Sequence, residues 1–147
     1  MTTSGSSDIW LDGHPGNAWL AQTVEPVLEP ELPICDPHHH LWPETETRQP
    51  YTRYLMDELT VDVTSGHNIR STVFIEARAL YRADGPEELR PVGEVEFADA
   101  QANLGAGGPV SAIVGRADLQ LGQDVGPVLD AHIAASPTRF RGIRHSV

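Results

Sequence analysis

A chain of 147 residues, 39% hydrophobic and 21% charged, holds enough apolar material for one domain with a modest core and excludes disorder throughout. The formal net charge is −11, and the ten basic residues are arginines that occur singly, which argues against the clustered positive footprint that nucleic acid or an anionic membrane requires. A lone cysteine, Cys35, excludes an intramolecular disulfide and a four-cysteine zinc framework, and with no apolar run near the ~20 residues of a membrane span and no signal-peptide pattern in Met1–Ser7 the expected setting is cytoplasmic.

Residues 1–33 read as a polar tail followed by an extended arm, whose Trp10 and Trp19 are expected to pack on the domain, since two exposed indoles are costly. Residues 34–147 read as that domain. Ile34-Cys35-Asp36 predicts a short buried strand running into a histidine cluster, and residues 43–53, with two prolines, predict a long loop. Leu55, Leu59 and Val63 fall at helical spacing behind acids in the first turn, with Gly66 as the stop. Ser71–Ile75 is β-branched and apolar, a second strand, and a polar loop from Arg78 to Pro91 follows it. Val92, Val95, Ala98, Ala102 and Leu104 mark a second helix that ends in Gly105-Ala106-Gly107-Gly108. Ser111–Gly115 is a third strand. Val125, Val128, Leu129, His132 and Ile133 mark a third helix stopped at Ser136-Pro137, and Phe140–Arg144 is a fourth strand.

The alternation β-α-β-α-β-α-β implies an α/β fold with a parallel sheet and helical crossovers. An open doubly wound sheet and part of a (β/α)8 TIM barrel both fit. Long loops after the first two strands and short returns into the strands resemble a barrel whose site is built on its βα loops. A whole barrel takes ~250 residues, so this sequence would hold roughly the first four strands and three helices.

The chemistry concentrates in Asp36-Pro37-His38-His39-His40. Strand alternation places Asp36, His38 and His40 on one face and turns His39 away. Two imidazoles at i and i+2 at the end of a strand converge on a point that suits a borderline divalent cation. A surface histidine run gives the same letters, but the flanking Ile34-Cys35 and Leu41-Trp42 favour a half-buried cluster. Glu76, at the end of the second strand, either lines the site or bridges to an arginine. Arg144, on the inward face of the fourth strand, either binds a substrate carboxylate in bidentate fashion or forms a structural ion pair. Asp118 reads as a loop cap, His132 as a packed or hydrogen-bonded helix residue, and His14 and His67 as loop residues. Cys35, in a strand expected to be buried, is a poor nucleophile. The glycine run at 105–108 lies between a helix and a strand, the wrong order for a phosphate loop, and neither a Gly-x-Ser-x-Gly elbow nor a His-Glu-x-x-His helix occurs.

Leu32-Pro33-Ile34-Cys35-Asp36-Pro37-His38-His39-His40-Leu41-Trp42 resembles the first barrel strand of the amidohydrolase superfamily, in its amidohydrolase-related branch of TIM-barrel hydrolases. Val73–Ala77, Tyr81–Glu94 and Phe140–His145 resemble the same branch, so the resemblance spans roughly residues 25–147. It implies His38 and His40 as metal ligands and a divalent metal, zinc ahead of others, although some relatives work without a tightly held metal; Glu76 and Arg144 stand as substrate-binding candidates on their strand positions alone. The implied reaction is attack of activated water on a lactone, ester or amide carbonyl of a small, carboxylated substrate, with decarboxylation as a variant. The family's later histidines and the Asp that serves as general base have no counterpart in these 147 residues. The chain is therefore expected to be incomplete as a catalyst, or else a non-catalytic half-barrel that pairs with a complementary half or a copy of itself.

Overall fold

The computed structural model describes residues 22–44, 53–104 and 108–145. Trp10, Trp19, His14, most of the loop at 43–53 and Gly105–Gly107 lie outside them. Four strands form one parallel sheet: β1 (Pro33–His39), β2 (Asn68–Ile75), β3 (Val110–Arg116) and β4 (Phe140–Arg144). Helices α1 (Met56–Val63), α2 (Val92–Leu104) and α3 (Gly126–Ala135) alternate with them, and 3-10 segments at Glu87–Leu89 and Leu119–Val125 lie in the second and third βα loops. The strand order is β1-β2-β3-β4. A doubly wound sheet reverses its order partway and opens a crevice there. This sheet has no reversal among the described strands.

The helices form one layer. α1 touches α2, α2 touches α3, and α2 lies on β3. On the covered face the strands bury Thr72, Phe74, Val110 and Ile113 against Leu59, Val95, Ala98 and Ala102. Phe74 is fully buried, a burial worth roughly 3 kcal/mol. Gly115 lies under both helices, because a Cβ there would stand 2.9 Å from Val95 Cγ2 and 3.1 Å from His132 Cε1. On the opposite face Val73, Ile75, Ala112 and Val114 are only partly covered.

Local chemistry sets the element ends. Glu58 reaches back to the Leu55 amide at 2.7 Å, satisfying a free donor at the start of α1. Pro127 sits in the first turn of α3, where its missing N–H costs nothing, and the helix stops at Ser136 before Pro137. Asp99 on α2 accepts from Ser136 Oγ at 2.6 Å and Arg139 Nη1 at 3.0 Å, tying α2 to the connection between α3 and β4.

Two expectations need correction. Cys35 is exposed, because it pairs in register with Ser71 on the face that no helix covers among the described residues. Leu104 is 75% and Ile133 52% exposed, so both fall off the apolar stripes that the spacing drew through them. In the arm, Val24 and Leu28 are 90% and 91% exposed, Val27 lies beside Gly66, and the Glu31 carbonyl accepts from Asn68 Nδ2 at 2.9 Å.

Candidate functional site

Pro37 has no N–H to give the ladder, and the register between β1 and β2 slips between Asp36 and His39. Asp36 pairs with Thr72 and His39 with Phe74, two residues buried on the helix side. The slip corrects the simple alternation. Asp36 goes with the His39 side of the strand, where its charge acts on His39 and Tyr54, while its Oδ1 accepts the His38 amide at 3.0 Å. His39 is buried edge-on against Phe74 with ring centroids 5.9 Å apart, and burial pushes its imidazole down to about 4, so it stays neutral.

His38 and His40 do meet. Their rings stand at 90° and their Nε2 atoms are 3.2 Å apart. His40 Nδ1 lies 2.7 Å from the Ile75 carbonyl oxygen. A carbonyl only accepts, so Nδ1 carries the proton, and in the neutral ring the Nε2 lone pair is left facing His38. Burial foremost, opposed by the Ile75 bond and helped by the charges of His38 and Arg144, lowers the His40 pKa and favours that neutral form. Two nitrogens on a tetrahedral zinc at ~2.0–2.1 Å stand about 3.3 Å apart, close to the spacing here. A carbonyl fixing the far nitrogen is also the usual brace of a ligating histidine. The pair therefore fits a divalent cation as two of its ligands. Among the described residues no third His, Cys, Asp or Glu completes the set.

Glu76 and Arg144 come together as well. Arg144 Nε donates to Glu76 Oε2 at 2.9 Å, and its Nη2 donates to the Glu76 carbonyl oxygen. Tyr81 Oη donates to Glu76 Oε1, and burial first, then this bond, raises the phenol well above its ordinary value. Glu76 is 1% exposed and the Arg144 side chain 40%, so the carboxylate is held inside while the guanidinium reaches the rim. Both charges act on His40, which places all four candidate residues at the C-terminal ends of β1, β2 and β4. The ion pair read as an alternative for each of Glu76 and Arg144 is the pair they make with one another.

The remaining candidates are structural. Asp118 caps the segment after β3 by accepting from the Gln120 amide at 2.8 Å, and His145 lies 3.5 Å from it. His132 is buried, donates Nε2–H to the Arg116 carbonyl at 2.8 Å and stacks on Phe140. The sequence reading gave no role to Glu94, which is 1% exposed in the first turn of α2. Its Oε1 accepts from the Ala77 and Ala79 amides, both at 2.9 Å, and so fixes the loop after β2. An acid three residues into a helix ordinarily reads as a dipole partner, which hid this contact. Compared with known proteins, the chain matches no family model, no curated protein and no solved structure, so the geometry of this rim is what a functional reading stands on.

Proposed function

We propose that the chain supplies the metal-binding opening of an amidohydrolase-type hydrolase, with β1–β4 as the first half of a (β/α)8 barrel. The observation that carries the reading is the His38–His40 pair, its nitrogens 3.2 Å apart and its His40 tautomer fixed by Ile75. The sequential strand order and the gathering of the polar residues at the strand C-termini support it. A bound divalent ion, zinc first, would polarise a scissile carbonyl and lower the pKa of a water. The chain's own residues would do the rest of the local work. Arg144 offers its exposed edge to a substrate carboxylate, and Glu76 holds the guanidinium in place from the side away from solvent. The other ligands and the general base, which the resemblance assigns to later strands, are not among the described residues.

The test is a zinc titration of the untagged chain by calorimetry at neutral pH, repeated on His38→Ala and His40→Ala. One zinc per chain is expected, with each substitution weakening it tenfold or more. An affinity unchanged in the double variant would falsify the reading. Product analysis on lactone, ester and amide substrates separates hydrolysis, which yields an acid, from decarboxylation, which releases carbon dioxide.

One observation favours a second reading, a half-barrel that works by association. Among the described strands β1 pairs only with β2 and β4 only with β3, and the sheet face of Val73, Ile75, Ala112 and Val114 is incompletely covered. The partner is then a complementary half-barrel or a second copy of this chain.

A further inference from the structure

We propose that a second site, separate from the histidine pair, binds a small hydroxylated anion between the second and third βα loops. A cavity of about 540 Å³ opens there. That is within the ~300–1,000 Å³ range of small-molecule sites. Arg78, Arg90 and Arg116 line it, in a chain whose net charge is −11. Arg53, Arg82, Arg139 and Arg144 each pair with a carboxylate. Arg78 and Arg90 have no such partner among the described residues, although Glu87 and Glu88 line the same cavity. Two guanidinium groups left unpaired beside available carboxylates are placed for an external anion.

The wall that presents Arg78 is built rather than loose. Arg78 has φ 64° and Leu80 φ 49°, the left-handed region that such side chains adopt only under constraint. The constraint is visible. The amides of Ala77 and Ala79, on either side of Arg78, both bond the buried Glu94, and the Leu80 carbonyl packs at Gly93, where a Cβ would stand 2.6 Å away. On the same wall Tyr81 is anchored through its hydroxyl to Glu76. Glu87, Glu88 and Asp118 line the same cavity. They repel a bare polyanion and accept hydrogen bonds, so the ligand that satisfies both kinds of side chain carries an acidic group and a hydroxyl. A hydroxycarboxylate and a polyol phosphate share that chemistry.

The test is calorimetric titration of the purified chain with malate, glycerol 3-phosphate and succinate at low ionic strength. Saturable 1:1 binding of malate or glycerol 3-phosphate is expected, and the tighter of the two names the anion. Arg78→Gly, which suits a positive φ and removes the charge without straining the loop, should weaken it at least tenfold, as should Arg90→Gln. Arg70→Gln, an exposed arginine on β2 away from the cavity, should leave it unchanged, and so should His38→Ala/His40→Ala, which separates this site from the proposed metal centre. No saturable binding, or an equal loss in Arg70→Gln, overturns the site. Succinate binding as tightly as malate overturns the role of the lining carboxylates.

Discussion

Glu94 shows how one buried group can set a pH response. Burial raises its carboxyl from the usual 4.5 to about 7, with the neighbouring Glu76 charge adding to the rise and the amide bonds from the 77–79 loop opposing it. Its other oxygen is buried without a hydrogen-bond partner among the described residues. The folded chain therefore binds this proton more tightly than the unfolded chain. The associated stability is fully present below about 4.5 and is lost as the pH rises through about 7. The loss is on the order of 3 kcal/mol. Glu94→Gln keeps an acceptor for the loop amides and cannot ionise. Unfolding free energies of the two proteins across this window should diverge, with the variant gaining on the parent as the pH rises. A constant difference at every pH would show that folding does not shift the Glu94 carboxyl.

At the scale of elements, the contact between α2 and the loop before it is the tightest seam. A Cβ on Gly93 would stand 2.6 Å from the Leu80 carbonyl oxygen and 2.8 Å from the Arg82 amide nitrogen, both backbone atoms that cannot swing aside. Gly93→Ala should cost about 2–3 kcal/mol in denaturant unfolding. Gly142→Ala on β4 meets nothing within 4 Å and should stay within about 0.5 kcal/mol. Equal costs for the two would refute the seam. Elements of this kind were largely legible in the sequence. Phe140–Arg144 was read to its observed bounds, because Ser136-Pro137 marks the preceding helix end and an apolar run follows. Periodicity misplaced Leu104 and Ile133, since spacing marks which residues share a stripe but not where its packing partner ends. The pairing of His38 with His40 was legible as well, whereas Asp36 was assigned to their face because alternation assumes an unbroken ladder and Pro37 breaks it. The Glu94 contact spans 15 and 17 residues to the loop amides, and no local pattern announces it.

At the scale of the molecule, four parallel strands in sequential order leave two edges and one partly covered face among the described residues. Exposed edges of parallel strands template further pairing. Sedimentation of the purified chain should show concentration-dependent association, and Arg or Lys placed at Val73 or Val114 should suppress it. A monomer at all concentrations with cooperative unfolding would remove the association reading. The loop that carries Arg78 and Tyr81 has another consequence. It is clamped at one end by Glu76 and Arg144, at the other by Gly93, and from within by Glu94, which accepts from the two amides that flank Arg78. Residues 76–94 thus behave as a cassette that carries its own contacts apart from Arg144, which β4 supplies. Grafted between a parallel strand and its following helix on another scaffold that offers an arginine in the place of Arg144, the segment should hold the same conformation, and its arginines could be exchanged to retune recognition with the sheet left untouched.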